Sequence, residues 1–337
     1  KPLASLPAPE PLHLAMLRAN NWPVPADAMA GASPSVARHL VDGENVPEGL
    51  RLEAAERAAE SRVLPISRLR ELYALAEFGA VERRDAAAWA QKNPGARADA
   101  LLYQTARARK RPIDRAEVLA AALAAARAAD RYIVVARANK TALETLRPVP
   151  GLLGFTAEAG RALLACGEPE LALQWYRMVE QGGDAEREAA WRALWPLLLV
   201  ADARARLPLD PARFKAWWRD SSKASTPEHA RRAGLLLTVL EALGHTVPEE
   251  TWSLLYARAG GTAEATSSPA LLRGLARAAE SGRRGETVLL ALLSLGRAGP
   301  AGASATTLAA VIRALGRLGF EAEARAVALE AMLAQDF

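Results

Sequence analysis

The side chains best suited to chemistry are few and widely spaced along the chain. The four histidines are His13, His39, His229 and His245, and none lies four residues from another histidine or inside an HExxH motif. Cys166 is the single cysteine, so neither a disulfide within the chain nor a cysteine-rich metal site can form. The phosphate-binding Gly-x-x-x-x-Gly-Lys motif and the Gly-x-Ser-x-Gly nucleophile motif do not occur. These patterns predict no catalytic residue, no metal and no cofactor, and therefore a non-enzymatic protein.

The remaining reactive groups favour structural roles. Glu249 and Glu250 stand at the start of a predicted helix, where carboxylates interact favourably with the helix dipole. Cys166 ends an apolar helical segment, which is typical of a small buried side chain rather than a reactive thiol.

One basic run is dense enough to consider as a polyanion site. It comprises Arg107, Arg109, Lys110, Arg111 and Arg115, over a helix end, a loop and the next helix. Cations at a helix C-terminus are favourable on their own, and no aromatic residues are interleaved for base stacking. The net charge is +5, but basic and acidic residues alternate along the chain. A solvated surface is therefore the preferred interpretation, and nucleic-acid or polyanion binding is the alternative.

The tryptophans form the main candidate for a partner-binding site. Adjacent side chains on a helix diverge by about 100°, so we expect one of Trp217 and Trp218 to face solvent. The predicted binding set, placed in a concave groove for a protein or peptide, is Trp175, Tyr176, Trp191, Trp195, Trp217 and Trp218.

The elements that would carry these residues are helices. Alanine is the most frequent residue and a strong helix former, and runs of β-branched residues are almost absent. Asp85, Asp114, Asp184 and Asp210 read as helix N-caps, and Pro196 reads as the first residue of a helix that follows one over 185–194. The predicted domains are an irregular segment with short helices over 1–60, a helical region over 61–148 and helix-hairpin repeats over 149–337.

Glycines divide the last part of the chain into helix pairs. Gly282 and Gly319 each precede a helix and are 37 residues apart, a period typical of stacked helix hairpins. Most predicted loops are two to six residues long, which makes neighbouring helices antiparallel. The predicted fold is therefore all-α, a right-handed α–α superhelix of stacked hairpins.

The segment 162–181 resembles a tetratricopeptide repeat. In that family a glycine ends the first helix, an alanine follows five residues later and an aromatic residue four after that. Gly167, Ala172 and Tyr176 match this pattern here, and Gly319 and Ala324 match its first two positions. Gly282 has Thr287 where the family has alanine, and the Trp-x-x-Leu-Gly start is missing. The resemblance implies a helical solenoid that binds partners and transfers no binding residues.

A weaker resemblance is to the helical superhelix domain of soluble lytic transglycosylases. The chain has the Glu-Ser pairs Glu60–Ser61 and Glu280–Ser281, but neither is followed by that family's Gly-Leu-Met-Gln motif. The resemblance implies at most a glycan-binding accessory domain of cell-wall metabolism, without the catalytic domain.

The expected location is the bacterial periplasm, with the cytoplasm as the alternative. Residues 1–12 carry four prolines and resemble the extended segment that follows a cleaved signal peptide. No run of 18 or more apolar residues occurs, so no membrane-spanning helix is expected. The partner and the oligomeric state are not predicted.

Overall fold

A computed structural model describes residues 12–13, 16, 24, 28–29, 32–43, 45–180, 183–202, 204, 207–219, 227–256, 267–335 and 337. Over these residues the protein is all-α, with helices, turns and no strand. The predicted fold class is confirmed at this level. The chain divides into two compact units, residues 1–166 and 167–337.

The first unit contains ten α-helices and one 3₁₀ helix in its described part. The α-helices are α1 (Pro34–Val41), α2 (Glu48–Glu60), α3 (Ile66–Leu75), α4 (Ala80–Arg84), α5 (Ala86–Lys92), α6 (Ala96–Ala108), α7 (Pro112–Ala128), α8 (Tyr132–Ala138), α9 (Lys140–Glu144) and α10 (Thr156–Ala165). The 3₁₀ helix is Pro150–Phe155. Helices α2, α3 and α6 pack on one another, and α8 packs on α2 and α3. Leu69, Leu101 and Leu102 are among the side chains buried in this core.

The second unit contains nine α-helices and one 3₁₀ helix among the residues described. The α-helices are α11 (Pro169–Arg177), α12 (Ala185–Ala201), α13 (Pro211–Arg219), α14 (Pro227–Ala242), α15 (Glu249–Tyr256), α16 (Pro269–Glu280), α17 (Arg284–Leu295), α18 (Ala305–Arg317) and α19 (Glu321–Ala334). The 3₁₀ helix, Gly299–Gly302, joins α17 to α18.

The helices of the second unit do not pack in chain order. The hairpin α18–α19 packs on helices far back in the sequence, α18 on α14 and α19 on α12. The Arg325 guanidinium on α19 donates a hydrogen bond to the Val200 carbonyl on α12, at 2.9 Å. Helices α16 and α17 pack against each other and against α18. Among the described helices, the α16–α17 hairpin therefore lies at the edge of the packed helices of this unit.

Local sequence signals placed several helix ends correctly. The Asp85 carboxylate accepts from the Ala88 backbone N–H and the Asp184 carboxylate from the Arg187 N–H, as N-caps do. Gly282 and Gly319 follow helix ends with φ of +68° and +78°, a conformation that glycine adopts without steric cost. The expected N-cap at Asp114 is wrong, because α7 starts two residues earlier with Pro112 in its first turn.

The helix break predicted at Pro196 is also wrong, because α12 continues through this proline to Ala201. Proline lacks the N–H that would bond to the carbonyl four residues earlier, that of Arg192. The Trp217 indole N–H on α13 donates to this carbonyl at 3.2 Å. A side chain from the following helix thus satisfies the acceptor that the proline leaves open, and α12 can continue.

No helix in the described ranges is long and apolar enough to cross a membrane.

Candidate functional site

The tryptophans predicted as a binding site lie inside the second unit. Trp217 is 7% exposed and Trp218 is 5% exposed, so the expectation that one of them faces solvent is wrong. Trp217 packs toward Trp195 and Phe214, with ring centroids 6.2 and 5.7 Å away, and Trp218 stacks on His229 at 4.6 Å. Both sides of α13 are covered by other side chains at this point. The angle of about 100° between adjacent side chains describes one helix and does not show what packs against it.

The rest of the predicted set is also mainly interior. Trp175, Tyr176 and Trp195 are at most 1% exposed. Trp191 is partly exposed and stacks on Trp195, with ring centroids 5.7 Å apart. These side chains fill space between helices of an alanine-rich unit, and the structure does not arrange them as a contact surface.

The basic run lies on the surface of the first unit, around the loop between α6 and α7. Arg107, Arg109, Lys110 and Arg111 are exposed, whereas Arg115 is partly buried and donates to the Thr145 hydroxyl and the Arg109 carbonyl. Arg107 lies over the Tyr103 ring, and Arg111 is 3.8 Å from Asp114. The side chains of Arg109 and Lys110 have no ion-pair partner in the described part of the chain.

The clearest exposed apolar surface is on α17, and the sequence analysis did not find it. Val288, Leu289, Leu292 and Leu293 are 40%, 57%, 62% and 55% exposed. They lie at positions i, i+1, i+4 and i+5, which places them side by side on one face of the helix. We call these four residues the α17 stripe. The opposite face, with Thr287, Ala291 and Ser294, is buried.

A signal for this surface was present in the sequence. The run Val288–Leu295 is apolar on all sides of a helix, whereas a helix at the surface of a globular unit has one apolar face. An all-round apolar helix is ordinarily buried all round. The packing order of the second unit leaves one face of α17 uncovered instead, and that order is not readable from the run itself.

A group of ionisable side chains converges in the core of the first unit, which sequence reasoning also missed. Glu56 on α2 and Asp99 on α6 are 2% and 1% exposed. The Tyr73 hydroxyl on α3 donates to Glu56 Oε1 at 2.7 Å. Arg131, just before α8, places Nη2 2.9 Å from Asp99 Oδ2 and Nε 3.4 Å from Glu56 Oε2. We call these four residues the carboxyl cluster.

The two carboxyl groups of this cluster share one proton at neutral pH. Burial, followed by the Asp99 carboxylate, raises the pKa of Glu56 to about 8, against the opposing effects of Arg131 and Tyr73. Burial raises the pKa of Asp99 to about 6, with Arg131 and a hydrogen bond from Glu56 lowering it. At neutral pH Glu56 is therefore protonated beside ionised Asp99, whose charge Arg131 balances.

This arrangement is suited to joining helices rather than to acid–base chemistry on a substrate. Glu56, Tyr73 and Asp99 are each at most 2% exposed, so their polar atoms are directed at one another and not at solvent. The hydrogen bond from Tyr73 and the ion pairs of Arg131 fix the relative positions of the elements that carry these groups. Here those elements are α2, α3, α6 and the start of α8.

A shallow depression of about 280 Å³ lies in the second unit. Its lining is Arg231, Leu235, Ala301, Gly302, Ala303, Ser304, Ala305 and Gln335. Arg231 is the one ionisable side chain among these residues, so the lining offers no acid–base pair. In the part of the chain that the structure describes, no group of three or more His, Cys, Asp or Glu side chains could hold a metal ion.

No protein-family model, curated protein or solved structure matches the chain. The resemblances to tetratricopeptide repeats and to the transglycosylase superhelix therefore depend on the residues of this sequence alone.

Proposed function

We propose that the chain is a non-enzymatic helical-repeat scaffold that binds another protein, with the α17 stripe as part of its binding face. The supporting observation is a row of four exposed aliphatic side chains on a helix whose opposite face is buried. Contiguous apolar surface of this kind marks interaction sites on soluble proteins. The tetratricopeptide-like repeats and the right-handed superhelix predicted from the glycine spacing belong to the same proposal, because such scaffolds bind extended partners.

Site-specific photocrosslinking in cells that make the protein tests this proposal. A benzophenone amino acid replaces Leu289 in one variant and Leu75, which is 72% exposed on α3, in the control. We expect a defined adduct, identified by mass spectrometry, at position 289 and none at position 75. Equal adducts at both positions, or none at 289, would contradict the assigned binding face.

Binding of a polyanion through the α6–α7 loop is a second candidate function. The exposed side chains of Arg109 and Lys110, which have no ion-pair partner among the described residues, favour it. Affinity for a single-stranded oligonucleotide should then fall with salt, by roughly one log unit per log unit of salt for each phosphate contact. Binding that is insensitive to salt, or unchanged in Arg109→Glu, would exclude this candidate.

A location in the bacterial periplasm remains a prediction. It was drawn from residues 1–12, of which 1–11 lie outside the described residues. Fractionation of cells that express the gene from its natural start would test it.

A further inference from the structure

The α17 stripe lies on the outer side of the α16–α17 hairpin, which is at the edge of the described packed helices of its unit. Among the described helices, α17 packs extensively on α16 and α18, and it also packs on the 3₁₀ helix Gly299–Gly302. In proteins built of stacked helix hairpins, the last hairpin needs a polar outer face to remain soluble. The outer face of α17 is aliphatic instead, as it would be if one more helix followed.

We propose that the α17 stripe binds an amphipathic helix of a partner protein whose apolar side is flanked by acidic residues. This inference rests on the proposed function and adds the chemistry of the partner to it.

The shape of the surface fits a helix. Gly285 lies in line with the α17 stripe, about one turn before Leu289, and Gly296 is the C-cap at the other end of the helix. Neither has a Cβ, so a second helix can approach closely there. From Gly285 to Gly296 the surface is about 16 Å long, the length of three helical turns.

The neighbouring helix α16 borders this surface. An added Cβ at Gly274 would lie 3.5 Å from Leu290 Cδ1, so the two helices approach closely at this point. Arg273 and Arg277 on α16 are exposed, and their spacing from Gly274 places them on the solvent side next to α17. The partner helix would therefore meet aliphatic side chains on α17 and cationic ones on α16.

The charges around the surface select an acidic partner. Two acidic side chains in this region are already paired, Glu286 with Arg283 at 2.6 Å and Glu280 with Arg317 at 2.9 Å. The exposed charged side chains around the stripe that have no ion-pair partner among the described residues are all arginines. They are Arg273, Arg277, Arg284 and Arg297. Complementary charge around an apolar contact increases both specificity and association rate.

The same charges disfavour a second copy of this chain as the occupant. Arg284 and Arg297 lie at the two ends of the α17 stripe. An antiparallel pair of α17 helices would place Arg284 of one copy beside Arg297 of the other, and a parallel pair would place each arginine beside itself. Like charges in direct apposition oppose association.

Two synthetic helical peptides test the proposal. They share one leucine face at i, i+3, i+4 and i+7 and carry either glutamates or lysines beside it. Fluorescence anisotropy with the full chain should show at least tenfold tighter binding of the glutamate peptide. Leu292→Asp should weaken that binding at least tenfold, whereas the control Leu75→Asp should leave it unchanged. Arg273→Glu combined with Arg297→Glu should reverse the preference between the peptides.

Several results would overturn the proposal. They are equal binding of the two peptides, no binding of the glutamate peptide at millimolar concentration, and equal loss in Leu75→Asp and Leu292→Asp. Sedimentation as a dimer that Leu292→Asp converts to a monomer would assign the surface to a second copy. Binding to phosphatidylglycerol vesicles through the α17 stripe, without peptide binding, would assign it to a membrane.

Failure here is distinguishable from failure of the proposed function. A specific protein adduct at position 289, together with no preference for the glutamate peptide, would leave the scaffold function standing and remove the acidic helix. Circular dichroism and thermal unfolding of Leu292→Asp verify that the variant is folded, as expected for a substitution at an exposed position.

Discussion

Replacement of Glu56 by glutamine should remove most of the pH dependence of stability in the first unit. At neutral pH the carboxyl cluster holds protonated Glu56, ionised Asp99 and charged Arg131. Loss of the Glu56 proton puts a second carboxylate in the core beside Asp99 with one arginine to balance both. Glutamine keeps the neutral form at every pH, and its amide can donate to Asp99 and accept from the Tyr73 hydroxyl.

The sign and size of the effect follow from the pKa of Glu56, which is about 8 in the folded protein against an ordinary value of 4.5. Because the folded pKa is the higher one, this group's contribution to stability is complete below pH 4.5. It is lost as pH rises through 8. From Glu56 alone, the free energy of unfolding of the wild type should fall by about 4 kcal/mol between pH 5 and pH 9. Glu56→Gln should match the wild type at pH 5 and exceed it by a similar amount at pH 9.

Urea unfolding followed by far-ultraviolet circular dichroism at intervals from pH 5 to pH 9 measures this difference. Glu53→Gln is the matched control, because Glu53 lies on the exposed side of the same helix. The control should keep the wild-type pH dependence. Parallel stability curves for the wild type and Glu56→Gln across this range would refute the assignment of a shared buried proton.

Three further predictions concern single positions. Burial raises the pKa of the partly exposed Cys166 thiol to about 12, so Ellman's reagent at pH 8 should react with it much more slowly in the folded than in the denatured protein; equal rates would contradict the raised pKa. Gly319→Ala, at φ +78°, should destabilise the second unit by about 1 kcal/mol, whereas Gly316→Ala, inside α18 with open space at its Cβ, should stabilise it by about 0.5–1 kcal/mol in urea unfolding. Trp217→Phe should lower the free energy of unfolding by about 1–3 kcal/mol, because the Arg192 carbonyl loses its donor. The loss should be smaller in the Pro196→Ala background, where a backbone N–H returns. Equal losses in a double-mutant cycle would argue against that hydrogen bond.

The sequence was informative about helix content and about several helix ends. Asp85 and Asp184 cap helices as predicted, and Gly282 and Gly319 adopt positive φ just after helices end. These features depend on residues within about four positions of one another, so the local sequence contains the required information. The alanine content and the scarcity of β-branched runs likewise predict an all-α protein.

The candidate sites were much less predictable. One of Trp217 and Trp218 was expected to face solvent, but both are buried. The Trp217 indole N–H donates to a carbonyl on the neighbouring helix α12, which explains why Pro196 does not end that helix. Glu56 and Asp99 are 43 residues apart, and nothing in either local sequence marks them as partners. The expectation that Trp217 or Trp218 faces solvent failed because a helical wheel describes one helix and contains no information about what covers it.

By itself, then, the sequence determined that this chain forms short helices separated by glycine, proline and capping residues, since those choices depend on hydrogen bonds between near neighbours. The tertiary structure alone decided which helices meet. It packed α18 and α19 against α14 and α12, buried Trp217, Trp218 and the carboxyl cluster, and left the α17 stripe in solvent. The physical reason is that burial of apolar area has no direction along the chain, so many packing orders satisfy the same local pattern. Only the three-dimensional arrangement shows which faces remain uncovered.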